Sequence, residues 1–262
     1  FNFFEMNIYT VRLPAFIAGV GIVCVSFSLL RKWEVPTGLA KAFCLALAMD
    51  HMFGRGMYSG RMDLVALFMV LLALRVLQFA VAKPAKVQTC LLCAVGLLAG
   101  ISCLTTPRVI FWLIGLPFFA WSQHDKSPYR FAVYRTLGIS ACASALGICW
   151  MYKASGGIVE YWQYLANQNQ LWHHVGNNSL IRHRSELPVY LSMTVGTFFF
   201  LKNWKNTETR KKVAFAGLFC VLVSFILLVK EVGPYESMIL PTYIFLIALA
   251  ASVMHRTQAN IL

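Results

Sequence analysis

Long apolar stretches separated by short polar breaks run along almost the whole chain. They cover 13–30, 38–53, 63–82, 88–104, 109–122, 131–152, 187–201, 213–229 and 237–254. A helix needs roughly 17–25 apolar residues to cross the hydrocarbon core of a bilayer, so the pattern predicts about nine transmembrane helices. The stretches are continuous, whereas barrel strands alternate over about ten residues. In lipid each span must satisfy its own backbone hydrogen bonds, which a helix does. The expected fold class is all-α: a polytopic transmembrane helical bundle forming a single domain over 1–262. Thr105-Thr106-Pro107-Arg108 breaks the 88–104 and 109–122 pair, and a re-entrant hairpin is the alternative there. The one long connection, 153–186, places Ile158, Trp162, Leu165 and Trp172 near helical spacing beside Tyr161 and Tyr164. It reads as a loop carrying a short interfacial helix, with a plain aromatic belt as the alternative.

Composition agrees with a membrane protein. The chain is 59% hydrophobic and 13% charged, with mean hydropathy +0.65, where soluble domains carry about 25% charged residues. The net charge of +13 would suggest nucleic acid in a soluble protein. Here its distribution along the loops is the more direct explanation, because cytoplasmic loops collect Lys and Arg. With the N-terminus outside and the C-terminus inside, fourteen basic residues fall on inner connections and eight on outer ones, leaving Arg75 within a span. Lys202 to Lys212 is the strongest inner anchor, with recognition of anionic lipid as its functional alternative. Acids run the other way: Glu5, Asp50, Asp63, Glu160, Glu186, Glu231 and Glu236 are outside, against Glu34, Asp125 and Glu208 inside. His51, His173, His174 and His183 are also outside. Titratable groups therefore gather on the outer face, which places function on the periplasmic or lumenal side; the expected location is a bacterial inner membrane with the active face periplasmic.

Candidate chemistry is sparse. All eight cysteines lie in apolar runs, and Cys90-Leu91-Leu92-Cys93 has no histidine nearby, so they read as small packing residues. His173, His174 and His183 lack the ligand spacing of a zinc site, and no metal site is assigned. No Gly-rich nucleotide loop or Ser-His-Asp arrangement is present. Gly60-Arg61-Met62-Asp63, at the mouth of the third run, is the most informative motif. A carboxylate and a guanidinium at the edge of a span are costly to bury and mark a functional surface.

Four groups of residues, taken together, carry a resemblance: Arg12-Leu13-Pro14 opening a span; Gly60-Arg61-Met62-Asp63; Gly96-Leu97-Leu98-Ala99-Gly100 followed by Leu104-Thr105-Thr106-Pro107-Arg108; and Tyr235 with Pro241 in the last span. In that order they resemble the GT-C superfamily of glycosyltransferases, closest to the protein O-mannosyltransferase and lipid A aminoarabinose transferase branch. The resemblance covers most of the chain. It implies an enzyme that moves a sugar from a polyprenyl-phosphate donor to a lipid, glycan or protein acceptor at the outer face. The bilayer, donor and acceptor are then its partners, with no role for nucleic acid. The family places its catalytic base in a first outer loop, so a further span and an outer-loop carboxylate are expected upstream of Phe1. Glu5 is the carboxylate nearest that position.

Such a transfer requires a base to activate the acceptor hydroxyl and cations to stabilise the leaving phosphate. Arginine suits the second task because its planar fork binds phosphate oxygens in pairs. Asp63 and Glu5 are the candidate catalytic carboxylates. Arg61, Arg12, Arg108, Arg182 and Arg184 are the candidates for donor phosphate, and His183, Tyr235 and Glu236 for acceptor or substrate. No resident cofactor is identified, and a divalent cation is the alternative to the arginines at the phosphate. Simpler roles compete: Asp63 as a charge at a helix start, Arg61 and Arg12 as side chains reaching for the interface, and the 182–184 cluster as a solvated loop. Competing functions are an O-antigen ligase or polymerase type of enzyme, a transporter or flippase, and a non-catalytic scaffold. An O-antigen enzyme would place its catalysis in a larger outer loop. A transporter would place ionisable groups at mid-membrane, where Arg75 is the main deep charge.

Overall fold

A computed structural model describes residues 8–80, 83–106, 109–122, 187–228 and 234–259, with a few isolated positions between 142 and 153. The described residues are helical throughout, joined by short turns. In chain order the helices are α1 (Ile8–Lys32), α2 (Thr37–Met49), α3 (His51–Tyr58), α4 (Met62–Ala80), α5 (Ala85–Thr105), α6 (Ile110–Ser122), α7 (Leu187–Lys202), α8 (Thr209–Leu228) and α9 (Pro234–Ala259). Three are long and apolar enough to cross a membrane, over Arg12–Lys32, Met62–Ala80 and Ala85–Cys103. Thr37–Met49, Leu191–Lys202 and Met238–Met254 form shorter apolar helices. The expected span at 131–152 and the interfacial helix of 153–186 lie outside the described residues.

Local chemistry sets the breaks. Pro36 and Pro84 stand immediately before α2 and α5, where the missing N–H of proline costs no helical bond. Thr106 ends α5 in an extended conformation, φ −154° and ψ 129°, as expected of a residue that precedes proline. The apolar stretch 38–53 is two helices, not one. Asp50 turns the chain at ψ 128°, and its carboxylate accepts the Phe53 N–H at 2.7 Å, capping α3. A side chain that satisfies a free helical N–H at this point favours a new helix over continuing the old one.

α4 packs along α1 and α5, α6 packs on α8 and α4, and α9 touches α1, α2, α3, α4, α7 and α8. α5 and α6 thus have different principal neighbours. Hydrophobic drive between helices is weak in lipid, so close contact and small residues carry the packing. A side chain at Gly21 would collide with Phe68 of α4, and one at Gly217 with Phe118 of α6. Phe245 of α9 lies edge-on to Trp33 at 5.7 Å and to Trp112 at 6.4 Å, both at 84°. The buried Trp112 indole donates to the Met238 carbonyl at 3.2 Å.

One end of the bundle is closed by ions. Past α1 the chain turns through Glu34 at φ 64°. The Glu34 N–H bonds the Arg31 carbonyl at 3.0 Å and the Val35 N–H bonds the Leu30 carbonyl at 3.1 Å, with Leu30 and Val35 both fully buried. This is the Schellman closure, which usually takes glycine at the left-handed position. Glutamate there costs about 1 kcal/mol of backbone strain. The compensation is long-range: Glu34 accepts from Arg210 at 2.6 Å and lies 3.9 Å from the Lys211 ammonium. Arg210 also bonds Glu208 at 2.6 Å. Partial burial acts to lower the Arg210 guanidinium, but its hydrogen bonds to Glu208 and then Glu34 outweigh that and hold it above its ordinary value. Lys211 is 4% exposed, so removing Glu34 takes a counter-charge from a buried ammonium.

Glu34→Gln should therefore lower stability by about 1–2 kcal/mol, because it keeps the strain and loses both ion pairs. Glu34→Gly should cost less, because it relieves the strain. Thermal unfolding in detergent checks the order, and a Gln variant as stable as the parent would show that the ion pairs contribute nothing.

Candidate functional site

The opposite end of the bundle gathers the start of α1, all of α3 and the start of α4. α3 is amphipathic. Phe53 is fully buried in the core, while His51, Arg55 and Tyr58 are exposed and, at i, i+4 and i+7, share one face. The helix is held against α1 at a glycine notch, since a side chain at Gly19 would collide with Met57.

The turn out of α3 explains Gly60-Arg61-Met62-Asp63. The Ser59 N–H bonds the Arg55 carbonyl at 2.9 Å, and the Arg61 N–H reaches back to the Gly56 carbonyl at 3.3 Å. Gly60 between them adopts φ 70°, the left-handed position that glycine takes without steric cost. α4 starts directly after this turn, with Asp63 in its first turn. A carboxylate there meets the positive end of the helix dipole. Asp63 is 8% exposed and Arg61 half-buried, so the aspartate is enclosed by protein. Both make further interactions with their surroundings.

Beside this turn, α1 and α3 enclose a cleft of about 190 Å³ lined by Arg12, Leu13, Phe16, Met57 and Tyr58. Its surface is almost wholly apolar, and among the described residues Arg12 is the one charged residue beside it. Leu13, Phe16 and Tyr58 are exposed, so the cleft opens on the outside of the bundle. Chemically it suits an amphiphile with an anionic group near Arg12 and a hydrocarbon portion along Leu13, Phe16 and Met57.

The sequence-derived candidates divide in two. Arg12, Arg61 and Asp63 come to the same end of the bundle. Tyr235 and Glu236 fall in the first turn of α9, but their side chains lie outside the described residues, as do Glu5, Arg108, Arg182, His183 and Arg184. Sequence reasoning missed the contribution of α3. Met57 and Tyr58 line the cleft, and His51 and Arg55 share the exposed face of Tyr58 on the same short helix. The available signal was Asp50 at the end of an apolar run, followed by three glycines at 54, 56 and 60. Among the described residues, His, Cys, Asp and Glu side chains do not gather in groups of three or more. Compared with known protein families, curated proteins and solved structures, the chain matches none of them.

Gly60→Ala should cost about 1 kcal/mol by placing a β-carbon at positive φ, while Gly60→Asn should cost less because Asn tolerates that conformation. Asp50→Ala should cost about 1 kcal/mol through loss of the α3 cap. Thermal melts of the three variants check both statements, and an Ala variant at Gly60 as stable as the parent would refute the turn assignment.

Proposed function

We propose that this protein is a GT-C-like membrane glycosyltransferase. In this reading nine spans place the N-terminus outside and the C-terminus inside, and the active face is the periplasmic side of a bacterial inner membrane. It transfers a sugar from a polyprenyl-phosphate donor to a lipid, glycan or protein acceptor. The observation that carries the reading is that an enclosed carboxylate, Asp63 at the start of α4, and the Arg12 cleft between α1 and α3 lie at the same end of the bundle.

The roles follow from chemistry. Arg12 holds the donor phosphate and neutralises the charge that develops there as the glycosidic bond breaks. Leu13, Phe16 and Met57 hold the first isoprenoid units. Asp63 orients or deprotonates the acceptor hydroxyl, with Arg61 beside it, and Glu5 is the second candidate for that base. Arg108, Arg182 and Arg184 add cationic contacts to the donor, and His183, Tyr235 and Glu236 contact the acceptor. A divalent cation bridging the phosphate is the alternative electrophile.

Proteoliposomes carrying labelled polyprenyl-phosphate sugars and a mixed lipid and protein acceptor fraction provide the test. Asp63→Asn should insert normally and lose transfer by about 100-fold or more; a folded, active Asp63→Asn enzyme would remove Asp63 from the chemistry. Arg12→Ala should both raise the apparent KM for donor and lower kcat, since it removes the hold on the donor phosphate and the stabilisation of the charge that develops on it. Arg182→Ala with Arg184→Ala should also weaken donor use, and unchanged donor affinity there would count against the loop. No transfer from any donor by folded protein would favour a transporter or scaffold.

A further inference from the structure

The α7–α8 corner lies at the ion-closed end, away from the Arg12 cleft, and the proposed transfer makes no use of it. It is rigidly built. The Asn203 amide donates to the Phe199 carbonyl at 2.9 Å, the Thr207 hydroxyl donates to the Asn203 carbonyl at 2.8 Å, and Trp204–Asn206 form a single 3-10 turn. Residues 202–212 carry Lys202, Lys205, Arg210, Lys211 and Lys212 against one acid, Glu208. Glu34 brings the second carboxylate, and the two acids engage Arg210 and Lys211. Among the described residues no carboxylate pairs with Lys202, Lys205 or Lys212. The corner therefore holds a local excess of positive charge on a fixed scaffold.

The same corner has an apolar continuation. Trp204 is 38% exposed, with the Lys212 ammonium 5.3 Å from its ring centre. From Trp204 a ladder of rings runs along the bundle: Phe200 at 5.8 Å, Phe215 stacked on Phe200 at 4.2 Å, then Phe219 at 6.2 Å. Its far end is exposed at Phe219, and Phe198 and Leu201 are exposed on α7. Cations, then an indole, then aromatic and aliphatic surface follow in the order of an anionic phospholipid: phosphate, glycerol, acyl chains. Trp favours the level between headgroup and hydrocarbon, and each Lys near an anionic headgroup is worth roughly fivefold in affinity.

We infer that the α7–α8 corner binds one anionic phospholipid, with its phosphate among Lys202, Lys205 and Lys212 and its chains along Trp204, Leu201 and Phe219. Phe200 and Phe215 are buried, so the apolar surface offered is Trp204, Leu201 and Phe219; with the charge complementarity, that surface selects a lipid over a soluble anion. A diffuse positive field over the whole basic end would instead spread the preference over every connection, including Lys41, Lys83 and Lys86.

The test uses the full chain in nanodiscs of phosphatidylcholine with and without phosphatidylglycerol, read by native mass spectrometry of retained lipid. The parent should retain phosphatidylglycerol in preference to phosphatidylcholine. Lys202→Gln with Lys205→Gln and Lys212→Gln should lower that preference by at least about tenfold. Lys41→Gln with Lys83→Gln and Lys86→Gln removes the same charge elsewhere and should leave it near the parent value. Equal losses in the two triple variants, or no loss in the first, would overturn the site. All six lysines are solvent-accessible, so their glutamine variants should fold.

Discussion

Phe245 is the point on which the described bundle turns. Trp33, from the turn after α1, and Trp112, from α6, meet its ring edge-on, and Trp112 is fixed in turn by the Met238 carbonyl of α9 itself. Edge-to-face aromatic pairs contribute about 0.5–1.5 kcal/mol beyond their burial. Their greater consequence here is geometric. Helices in lipid gain little from mutual apolarity, so large directional rings and glycine notches decide which faces meet. The clamp makes α9 a post, and α1, α2, α3, α4, α7 and α8 pack on it.

Two left-handed turns then define the two ends. At one end Gly60 lets the chain leave α3 and re-enter a helix after three residues, which puts Arg61 and Asp63 at the mouth of α4. At the other end Glu34 occupies the same kind of position without the freedom of glycine, and its carboxylate joins the end of α1 to the start of α8. The contrast in residue type is informative. Where only a turn is needed the chain uses glycine; where the turn must also tie distant helices, it accepts backbone strain in exchange for charge.

A division of labour follows. The end with Asp63, Arg12 and α3 combines an enclosed carboxylate with a small apolar cleft beside Arg12. The basic end holds two acids engaged with Arg210 and Lys211, and an exposed indole, Trp204, with Lys212 over its ring. Each end presents cations beside apolar surface, but among the described residues only the first adds an enclosed carboxylate to them.

Sequence by itself determined the helical class, because unbroken apolar runs in a lipid-compatible chain leave few other ways to satisfy the backbone. It also placed most helix breaks within a few residues, since Pro36, Pro84 and the Thr106–Pro107 step act locally through φ and the missing N–H. It singled out Arg12, Arg61 and Asp63, because charges at the edges of apolar runs stand out. Only the tertiary structure decided that 38–53 divides at Asp50, a matter of one carboxylate finding the Phe53 N–H. Only it joined Met57 and Tyr58 to Arg12 in a cleft, and Glu34 to Arg210 across 176 positions of chain. Those pairings depend on which helix faces meet, and with almost every face apolar the periodicity of the chain does not encode that choice; ring geometry and glycine notches do.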